Sequence, residues 1–449
     1  MHITNFKKLI KTDLREKALL IAEAGYDAID IKKSVKRRIS VKNGILEVKM
    51  HTEAGTVIVD LKDYKRVFVV GVGKGSALAS MTLAKTLGKY LTKGIALDVS
   101  QPKLNPPAGG QKLKIFKGDH PLPSKQNIKA TQEIIEIAGK LNEHDLLISF
   151  ICGGGSALAC SKECELTDSV LVIKELTKKG ANISELNTVR KHLSDFKGGG
   201  LAKIAYPATV VSLIVSDVCG NDLSTVSSGP TVFDKTSKKD AENILKKYSL
   251  KPLSVSLVET PKDQKYFKKV QNILFVCNQD AALVMIEKSR EFGFNSRIQS
   301  LALEGEAKCI FSPMINKIKN KEAIIAAGET TITFVKNGIG IMENGKAKIG
   351  KGGRNQEAVL GVVNNLRRSA PNSASFCVIS FASDAYDHTE SAGAIGDILT
   401  VQEANKLNLD IDEYLKTHST FEFFEKTGDA LYAQKTCFNV ADLMLVIKD

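Results

Sequence analysis

Residues 187–234 read NTVRKHLSDFKGGGLAKIAYPATVVSLIVSDVCGNDLSTVSSGPTVFD, and this stretch decides the fold class. After Pro207, residues 208–215 form a continuous run of small and β-branched apolar side chains, which is typical of a strand buried on both faces of a parallel sheet. Polar side chains follow at once, beginning with Ser216 and Asp217. Because open α/β sheets bind ligands beyond the carboxyl ends of their strands, the stretch predicts an α/β protein with a ligand site here.

The segment before this strand combines cations with glycine. Arg190, Lys191 and Lys197 precede three glycines at 198–200, so a cationic helix end meets a loop with accessible backbone amides. Both features favour the binding of an anion. The alternative interpretation is an ordinary basic helix that faces solvent.

Length and composition limit the classes of protein to consider. A chain of 449 residues exceeds what one hydrophobic core usually organises, so we expect two domains. The apolar runs are too short for a membrane span, and the first twenty residues contain no apolar leader, so we expect a cytoplasmic protein without membrane contact. The net charge of +13 suits an anionic partner, but the basic residues are dispersed and Trp is absent, so we expect a small anionic substrate rather than nucleic acid.

Two further apolar strands run into glycine turns that precede helices. Residues 67–72 lead into Gly73, Lys74, Gly75 and Ser76, and residues 146–151 lead into three glycines at 153–155 and then Ser156. Glycine amides can approach a phosphate closely, and a lysine adds a mobile cation. Neither turn has the complete spacing of a dinucleotide fingerprint or a P-loop, so each is weak evidence by itself.

After Asp234 the chain becomes Lys-rich and polar, and we predict a boundary there, with domains at 1–240 and 241–449. Strands at 272–277 and 297–303 alternate with helices predicted at 279–292 and 306–319, so the second domain is also expected to be α/β.

Polar clusters in the second domain suggest more candidate residues. Arg354 stands at a predicted helix start, where a guanidinium is unfavourable for the helix dipole and is expected to serve an anion. Asp384 and Asp387 follow a buried strand at 376–381 and are candidates for binding Mg²⁺ or accepting a hydroxyl proton, with an Asx-turn as the alternative. His120, in the loop GDHPLPS, either lines a pocket or makes a structural hydrogen bond.

Together these motifs resemble the type II glycerate kinases. The resemblance rests on segments in the family's order along nearly the whole chain: VGVGKGSA (70–77), GDHPLPS (118–124), GGGSA (153–157), LNTVRKHLSDFKGGGLA (186–202), SDVCGNDLSTVSSGPTVFD (216–234), GETTIT (328–333) and GGRNQEA (352–358). It implies a larger Rossmann-like N-terminal domain with a mostly parallel sheet, a smaller α/β C-terminal domain of the MOFRL type, and an active site in the cleft between them. It also implies transfer of the γ-phosphate of ATP to D-glycerate, with Mg²⁺, to give 2-phosphoglycerate.

The resemblance matches Lys74 and Arg354 to the family's basic active-site residues. From position we add Arg190 for the glycerate carboxylate or the transferring phosphoryl group, and Asp217 or Asp384 for Mg²⁺ or the attacking hydroxyl. The residues expected to bind substrate or nucleotide are Gly73, Gly75, Ser76, Gly153, Gly154, Gly155, Ser156, Asn187, Asp222, Glu329, Asn355, Asp387 and Asn439. A monomer or homodimer is expected.

Three departures from the family pattern bear on the acceptor. The T/S-D-G-x-D-G pattern reads Ser383-Asp384-Ala385-Tyr386-Asp387-His388, the C-terminal glycine-rich pattern reads AQKTCFNVADL at 433–443, and the segment 335–352 is longer than expected. A hydroxypyruvate reductase is the rival enzyme, although no acidic residue follows a complete G-x-G-x-x-G at the expected spacing. A non-catalytic anion-binding relative is the third possibility.

Overall fold

A computed structural model of the protein describes residues 1–50, 55–102, 112–250, 256–333, 342–343, 346–347, 350–368 and 376–449. Most of the long segment 335–352 lies outside the described residues. The described strands are β1 (Ile39–Lys42), β2 (Ile45–Lys49), β3 (Thr56–Asp60), β4 (Arg66–Val72), β5 (Leu91–Asp98), β6 (Leu113–Lys117), β7 (Asp145–Cys152), β8 (Thr209–Val215), β9 (Val270–Val276), β10 (Asn295–Leu303), β11 (Glu322–Gly328), β12 (Met342–Glu343), β13 (Lys346–Ala347), β14 (Phe376–Ala382), β15 (Gly393–Gly396), β16 (Ala430–Leu431) and β17 (Asp442–Lys448).

The α-helices of the described chain connect these strands. They are α1 (Phe6–Leu9), α2 (Asp13–Ile29), α3 (Ile31–Arg38), α4 (Ser76–Leu87), α5 (Lys125–Ala138), α6 (Gly155–Leu158), α7 (Glu163–Lys178), α8 (Ile183–His192), α9 (Gly200–Ala205), α10 (Lys238–Lys247), α11 (Asn278–Glu291), α12 (Ser312–Ile315), α13 (Arg354–Arg368), α14 (Ile398–Lys406), α15 (Ile411–Lys416) and α16 (Thr420–Thr427). Within the described ranges, no helix is long and apolar enough to cross a membrane.

The first compact unit, residues 31–276, is a Rossmann fold. Its six-stranded sheet has the order β6-β5-β4-β7-β8-β9, and every neighbouring pair is parallel. Counted along the chain, this is the order 3-2-1-4-5-6 of dinucleotide-binding sheets. The apolar runs at 67–72, 146–151 and 208–215 form the central strands β4, β7 and β8, whose side chains are almost entirely buried. The predicted Rossmann-like α/β domain is confirmed.

The second unit contains residues 1–30 and 277–449. Its sheet has the order β10-β11-β17-β14-β15-β16, with one parallel pair, β10 and β11, and antiparallel pairing elsewhere. Apolar side chains of α13 pack with β14, β17 and α16 in its core, which includes Phe423 and Phe424. The mixed α/β class expected for this part of the chain is confirmed.

The predicted domain bounds and one predicted helix differ from the structure. The predicted boundary at 240 falls inside the Rossmann unit, because α10 packs on α8 and β9 then completes the edge of the sheet. The N-terminal helix α2 packs against α11 in the other unit. The helix predicted at 306–319 is replaced by a short turn at Ala307–Cys309 and by α12, because Pro313, at the start of α12, cannot donate the hydrogen bond that a continuous helix needs.

Candidate active site

The candidate site of the Rossmann unit lies where the strand order of the sheet reverses. β4 and β7 are neighbours, but the chain continues from β4 to β5 and β6 on one side, and from β7 to β8 and β9 on the other. Connections that leave in opposite directions open a crevice at the carboxyl ends of the two strands, where α/β proteins bind ligands. The predicted glycine turns follow β4 and β7, and Asp217 follows the adjacent β8.

The two glycine turns are interlocked. The amide of Lys74 donates to the carbonyl oxygen of Gly153 at 2.9 Å. Gly73 has φ +111°, and a Cβ atom there would lie 2.1 Å from the carbonyl oxygen of Cys152. Only glycine allows this approach without displacing the neighbouring backbone. The turn after β4 therefore has a fixed position against the turn after β7.

Each of the three glycines after β7 makes room for a side chain from another loop. A Cβ atom on Gly153 would lie 1.9 Å from the Asp217 carboxylate, and one on Gly155 would lie 2.3 Å from the Ser227 hydroxyl. A Cβ atom on Gly154 would meet both Lys74, at 3.2 Å, and His120, at 3.3 Å. The triple glycine thus brings these four side chains, from three connections of the sheet, onto one short segment of backbone.

In the described part of the Rossmann unit, Lys74 and Arg190 differ from Lys191 and Lys197 in having no carboxylate partner. Lys191 pairs with Asp234 at 3.1 Å, and Lys197 pairs with Glu165 at 2.8 Å, all of them buried.

Among the described residues, no carboxylate lies within ion-pair distance of half-buried Lys74 or Arg190, and the guanidinium of Arg190 contacts only the amide oxygen of Asn187, at 3.2 Å. Burial lowers the pKa of Arg190, because the charged form loses hydration that no acid replaces. Both cations are available to an anionic ligand.

The amino terminus of α4 is occupied by the protein itself. Asp98, the fully buried last residue of β5, accepts the amide of Ala77 at 2.9 Å, and burial raises the pKa of its carboxyl group. Ser76, predicted to bind nucleotide, is buried and donates to the carbonyl oxygen of Leu97. These contacts give Ser76 a structural role and leave the Lys74 side chain, rather than the helix amides, as the group that this turn presents to a ligand.

A strained turn supports the glycines from the opposite side. Ser227, Ser228 and Gly229 have φ values of 51°, 60° and 56°, a left-handed conformation that costs a non-glycine residue about 1–2 kcal/mol. Ser227 donates to the carbonyl oxygen of Cys152 at 2.5 Å, and the hydroxyls of Ser228 and Ser156 are 2.8 Å apart. Strain of this kind is maintained where the surrounding contacts require it, which favours a functional turn.

In the second unit, Arg354 is held by acids of its own chain. Its guanidinium donates to Asp442 through Nε at 2.5 Å and through Nη2 at 3.3 Å, and to Glu329 through Nη1 at 2.5 Å. Burial opposes the charge, but Asp442 and Glu329 outweigh burial and raise the pKa of Arg354. The carboxylates therefore supply the anions that we expected a ligand to bring to this helix start.

Asp387 caps helix α13. Its carboxylate accepts the amides of Asn355 at 3.1 Å and Gln356 at 2.9 Å, as a capping side chain does. Complete burial and the nearby Asp442 raise the pKa of Asp387 to about 7, against the opposing effect of these amides. We predicted that Asp387 binds substrate or nucleotide, but these contacts give it a structural role.

The other predicted residues of this unit also make local contacts. Asp384 accepts the amide of Tyr386 at 3.0 Å, which is the Asx-turn left open as its alternative. Asn355 accepts the Ser380 hydroxyl at 2.6 Å, and Asn439 accepts the Ser383 hydroxyl at 2.6 Å. In the Rossmann unit, Asp222 accepts the amide of Ser224 at 2.9 Å in an exposed turn.

Comparisons with known proteins match two separate parts of the chain to two families. Residues 17–260 match the family described as a domain of unknown function (DUF4147), and residues 322–442 match the MOFRL family. A D-glycerate 2-kinase of Thermotoga maritima is 31% identical over 85% of this chain and 90% of its own length. The chain belongs to the glycerate kinase family. The crystal structure of a glycerate kinase from Thermotoga maritima superposes with a TM-score of 0.81 at 29% identity, over 97% of this chain and 99% of that one.

The glycerate kinase family also includes proteins that carry another name. A relative in Agrobacterium vitis, 32% identical over 85% of this chain and 87% of its own length, has the provisional name hydroxypyruvate reductase.

The altered loop after β14 contains two non-glycine residues in left-handed conformations. Ala385 and His388 stand where the family pattern has glycine, and they have φ values of 62° and 55°. These are left-handed conformations that glycine adopts without strain. The substitutions thus place side chains at two left-handed positions of the loop, and half-exposed Tyr386 lies between them.

The candidate residues chosen from the sequence did not include two acids, Asp98 and Asp442, or Ser227, and the role of His120 had two alternatives. Asp98 is the last residue of an apolar strand, Asp442 is the first residue of another, and Ser227 lies in the stretch quoted at the start. The position of each in the sequence could therefore have indicated it. What the sequence did not show is which neighbour each one contacts. Asp442 lies 88 residues from Arg354 along the chain.

Proposed function

We propose that this protein transfers the γ-phosphoryl group of ATP to the 2-hydroxyl of D-glycerate, which yields 2-phosphoglycerate and ADP. The observation that carries the proposal is Lys74, a cation without a carboxylate partner among the described residues, packed on the triple glycine at the switch point of the sheet. Arg190 is a second such cation in the same unit. Phosphoryl transfer between an anionic nucleotide and an anionic acceptor depends chiefly on positioning and on neutralising charge. The names of the family's kinases supply the substrate.

The proposed roles of Lys74 and Arg190 follow from the different chemistry of an ammonium and a guanidinium group. Lys74 is a compact charge on a flexible stem, in the turn between the first strand of the sheet and its helix, and it suits the transferring phosphoryl group. Arg190 is a planar donor fixed by Asn187, and it suits bidentate binding of the glycerate carboxylate or of the phosphoryl oxygens. Gly153, Gly154 and Gly155 let substrate oxygens approach the backbone closely.

Asp217 is the proposed ligand of the Mg²⁺ that accompanies ATP. In the described part of the chain, no group of three or more His, Cys, Asp or Glu side chains is arranged to hold a metal by itself. A single carboxylate at the carboxyl end of β8, packed on Gly153, fits a kinase, because Mg²⁺ there takes one or two carboxylates and otherwise phosphate oxygens and water. When bound, the ion would neutralise charge on the phosphates.

The reductase alternative is disfavoured by Asp98. In a Rossmann dehydrogenase the pyrophosphate of the dinucleotide sits at the amino terminus of the first helix of the fold. Here that terminus is α4, and the buried carboxylate of Asp98 already accepts its Ala77 amide. A second anion at the same amides would face the repulsion of this carboxylate. The non-catalytic alternative has no such observation in its favour.

The test is phosphorus NMR of the products formed from Mg-ATP and D-glycerate. We expect 2-phosphoglycerate and ADP in equal amounts. Exclusive formation of 3-phosphoglycerate would contradict the assigned position, and oxidation of NADH with hydroxypyruvate in the absence of phosphoryl transfer would support the reductase. Binding of ATP or D-glycerate without any turnover would support the anion-binding alternative.

A further inference from the structure

His120 is held rigidly beside the triple glycine. The preceding residue, Asp119, donates its amide to Asn127 Oδ1 at 2.9 Å and accepts Asn127 Nδ2 at 3.1 Å. Ser124 caps the same helix, α5, and its hydroxyl also donates to Asn127. The loop is therefore anchored on the first turn of α5, and the ring Nε2 of His120 lies 3.3 Å from the position of a Cβ atom on Gly154.

The imidazole of His120 makes no hydrogen bond or ion pair with any residue that the structure describes. Buried His192, by contrast, contacts the Val258 carbonyl oxygen at 2.8 Å and the Thr236 hydroxyl at 3.3 Å. His418 lies 2.8 Å from the Glu357 carboxylate. His120 is half-buried, so its unbonded nitrogens argue against the structural hydrogen bond that the sequence left open.

The charges around His120 favour its neutral form. Burial and the positive charge of Lys74 lower the pKa of His120. The Asp217 carboxylate packs on the neighbouring Gly153, and Asp119, adjacent in the chain, is exposed to solvent. At neutral pH the ring is unprotonated and can accept a proton at the nitrogen that faces the site.

We propose that His120 is the catalytic base that takes the proton from the acceptor hydroxyl. The proposal rests on the proposed kinase function. The O–H bond of the 2-hydroxyl breaks and its proton passes to His120, while the hydroxyl oxygen forms a bond to the γ-phosphorus. The bond from that phosphorus to the β,γ-bridging oxygen breaks, and ADP leaves with the electron pair. His120 then releases the proton to solvent. Lys74, which meets His120 at Gly154, lies near the reacting phosphoryl group and keeps the base neutral.

The first test compares His120→Gln with His144→Gln under saturating Mg-ATP and D-glycerate. His144 is an exposed histidine of the same unit. It immediately precedes β7 and so lies at the amino ends of the strands, away from the proposed site. We expect His120→Gln to lower kcat by about 10²–10⁴-fold and to remove the acidic limb of the pH profile of kcat/KM. His144→Gln is expected to keep both. If His120→Gln retains kcat within about twofold and keeps the acidic limb, this inference fails while the kinase function stands; if the unmodified protein makes no phosphoglycerate, the proposed function fails as well.

The second test does not depend on the folding of the His120 variant. The ring nitrogens of His120 are titrated by NMR in the unmodified protein and in Lys74→Met. We expect a pKa below the ordinary histidine range in the unmodified protein and a higher pKa in Lys74→Met, because the cation that disfavours protonation is gone. The acidic limb of kcat/KM in Lys74→Met should move to higher pH by the same amount. An unchanged titration, or a limb that does not follow it, would overturn the assignment.

Discussion

Lys74 and Arg190 show how single residues distinguish a site from the surface. Buried cations elsewhere in the same unit, such as Lys191 and Lys197, have carboxylates within 3.1 Å. An unpaired charge that has lost part of its hydration is unfavourable in a protein unless a ligand compensates for it. This difference is invisible in the sequence, where all four residues are simply basic.

Lys74→Met should lower kcat and kcat/KM together, by about 3 kcal/mol of transition-state stabilisation, and should leave D-glycerate binding intact. Methionine keeps the aliphatic stem and removes only the charge. Steady-state kinetics measure the effect, with Lys203→Met, an exposed lysine on α9, as the control. A raised KM for ATP with unchanged kcat would show that Lys74 only holds the nucleotide.

Mutation to asparagine should affect kcat differently at the two candidate carboxylates, Asp217 and Asp384. We expect Asp217→Asn to lower kcat by at least about a hundredfold, as for a metal-linked group. Asp384→Asn should have little effect, because the asparagine oxygen can accept the Tyr386 amide in the same Asx-turn. Thermal unfolding should change little in either variant. An equal loss of kcat in both variants would show that Asp384 also takes part in catalysis.

At the scale of elements, the turn after β7 matters more than the helix that follows it. Its three glycines receive side chains from the turns after β4 and β8, from the loop after β6 and from the strained Ser227 turn. A strand-turn-helix unit is usually described by its helix dipole, but α6 has only four residues. Close approach to bare backbone is the property for which glycine is required here.

Gly153→Ala tests this role of the turn. The new methyl group would lie 1.9 Å from the Asp217 carboxylate, which must then move. We expect kcat to fall by about a hundredfold, since a displacement near 1 Å at a catalytic group has an effect of this size. Gly139→Ala, at the end of α5 in an ordinary helical conformation, is the control. Near-normal kcat in Gly153→Ala would show that Asp217 has no positional role.

The stability that Asp387 contributes at the amino terminus of α13 should depend on pH. Because the pKa of Asp387 is raised to about 7 in the folded state, the folded protein binds this proton more tightly than the unfolded chain. Its contribution to the free energy of unfolding therefore falls as pH rises from about 4 to 7, by up to about 1.4 kcal/mol per pH unit.

Carboxyl-carbon NMR should show Asp387 titrating near pH 7, and Asp387→Asn should flatten the dependence of urea stability on pH in this range. An inflection near the ordinary value of aspartate would contradict the shift.

At the scale of the whole molecule, the second unit is assembled from both ends of the chain. Arg15 of α2 is completely buried and donates to Asp397 at 2.6 and 2.7 Å and to Asp429 at 2.6 Å. Arg15 compensates the charge of both buried acids, and Lys11 adds a second ion pair to Asp429 at 2.7 Å. Helix α2 is therefore part of the fold of the second unit.

Arg15→Met should destabilise that unit by about 3–5 kcal/mol, since it leaves Asp397 and Asp429 with less compensation. Lys17→Met, two residues along the same helix, breaks only a surface pair with Asp13 and should cost less than about 0.5 kcal/mol. Chemical denaturation followed by a probe in the second unit measures both. Equal, small effects would show that the buried network is not required for stability.

By itself the sequence determined the α/β class, the central strands and the glycine turns with Lys74, because each is a local pattern of apolar runs and glycines. Tertiary structure decided the extent of the units, since β9 joins the sheet after the polar segment at 235–269 and α2 packs on elements more than 250 residues away. It also decided which charges are neutralised: Asp98 fills the α4 terminus, and Asp442 and Glu329 hold Arg354, while Lys74 and Arg190 stay without carboxylate partners among the described residues. The physical reason is that charge pairing depends on distances across the fold, which the order of residues along the chain does not specify.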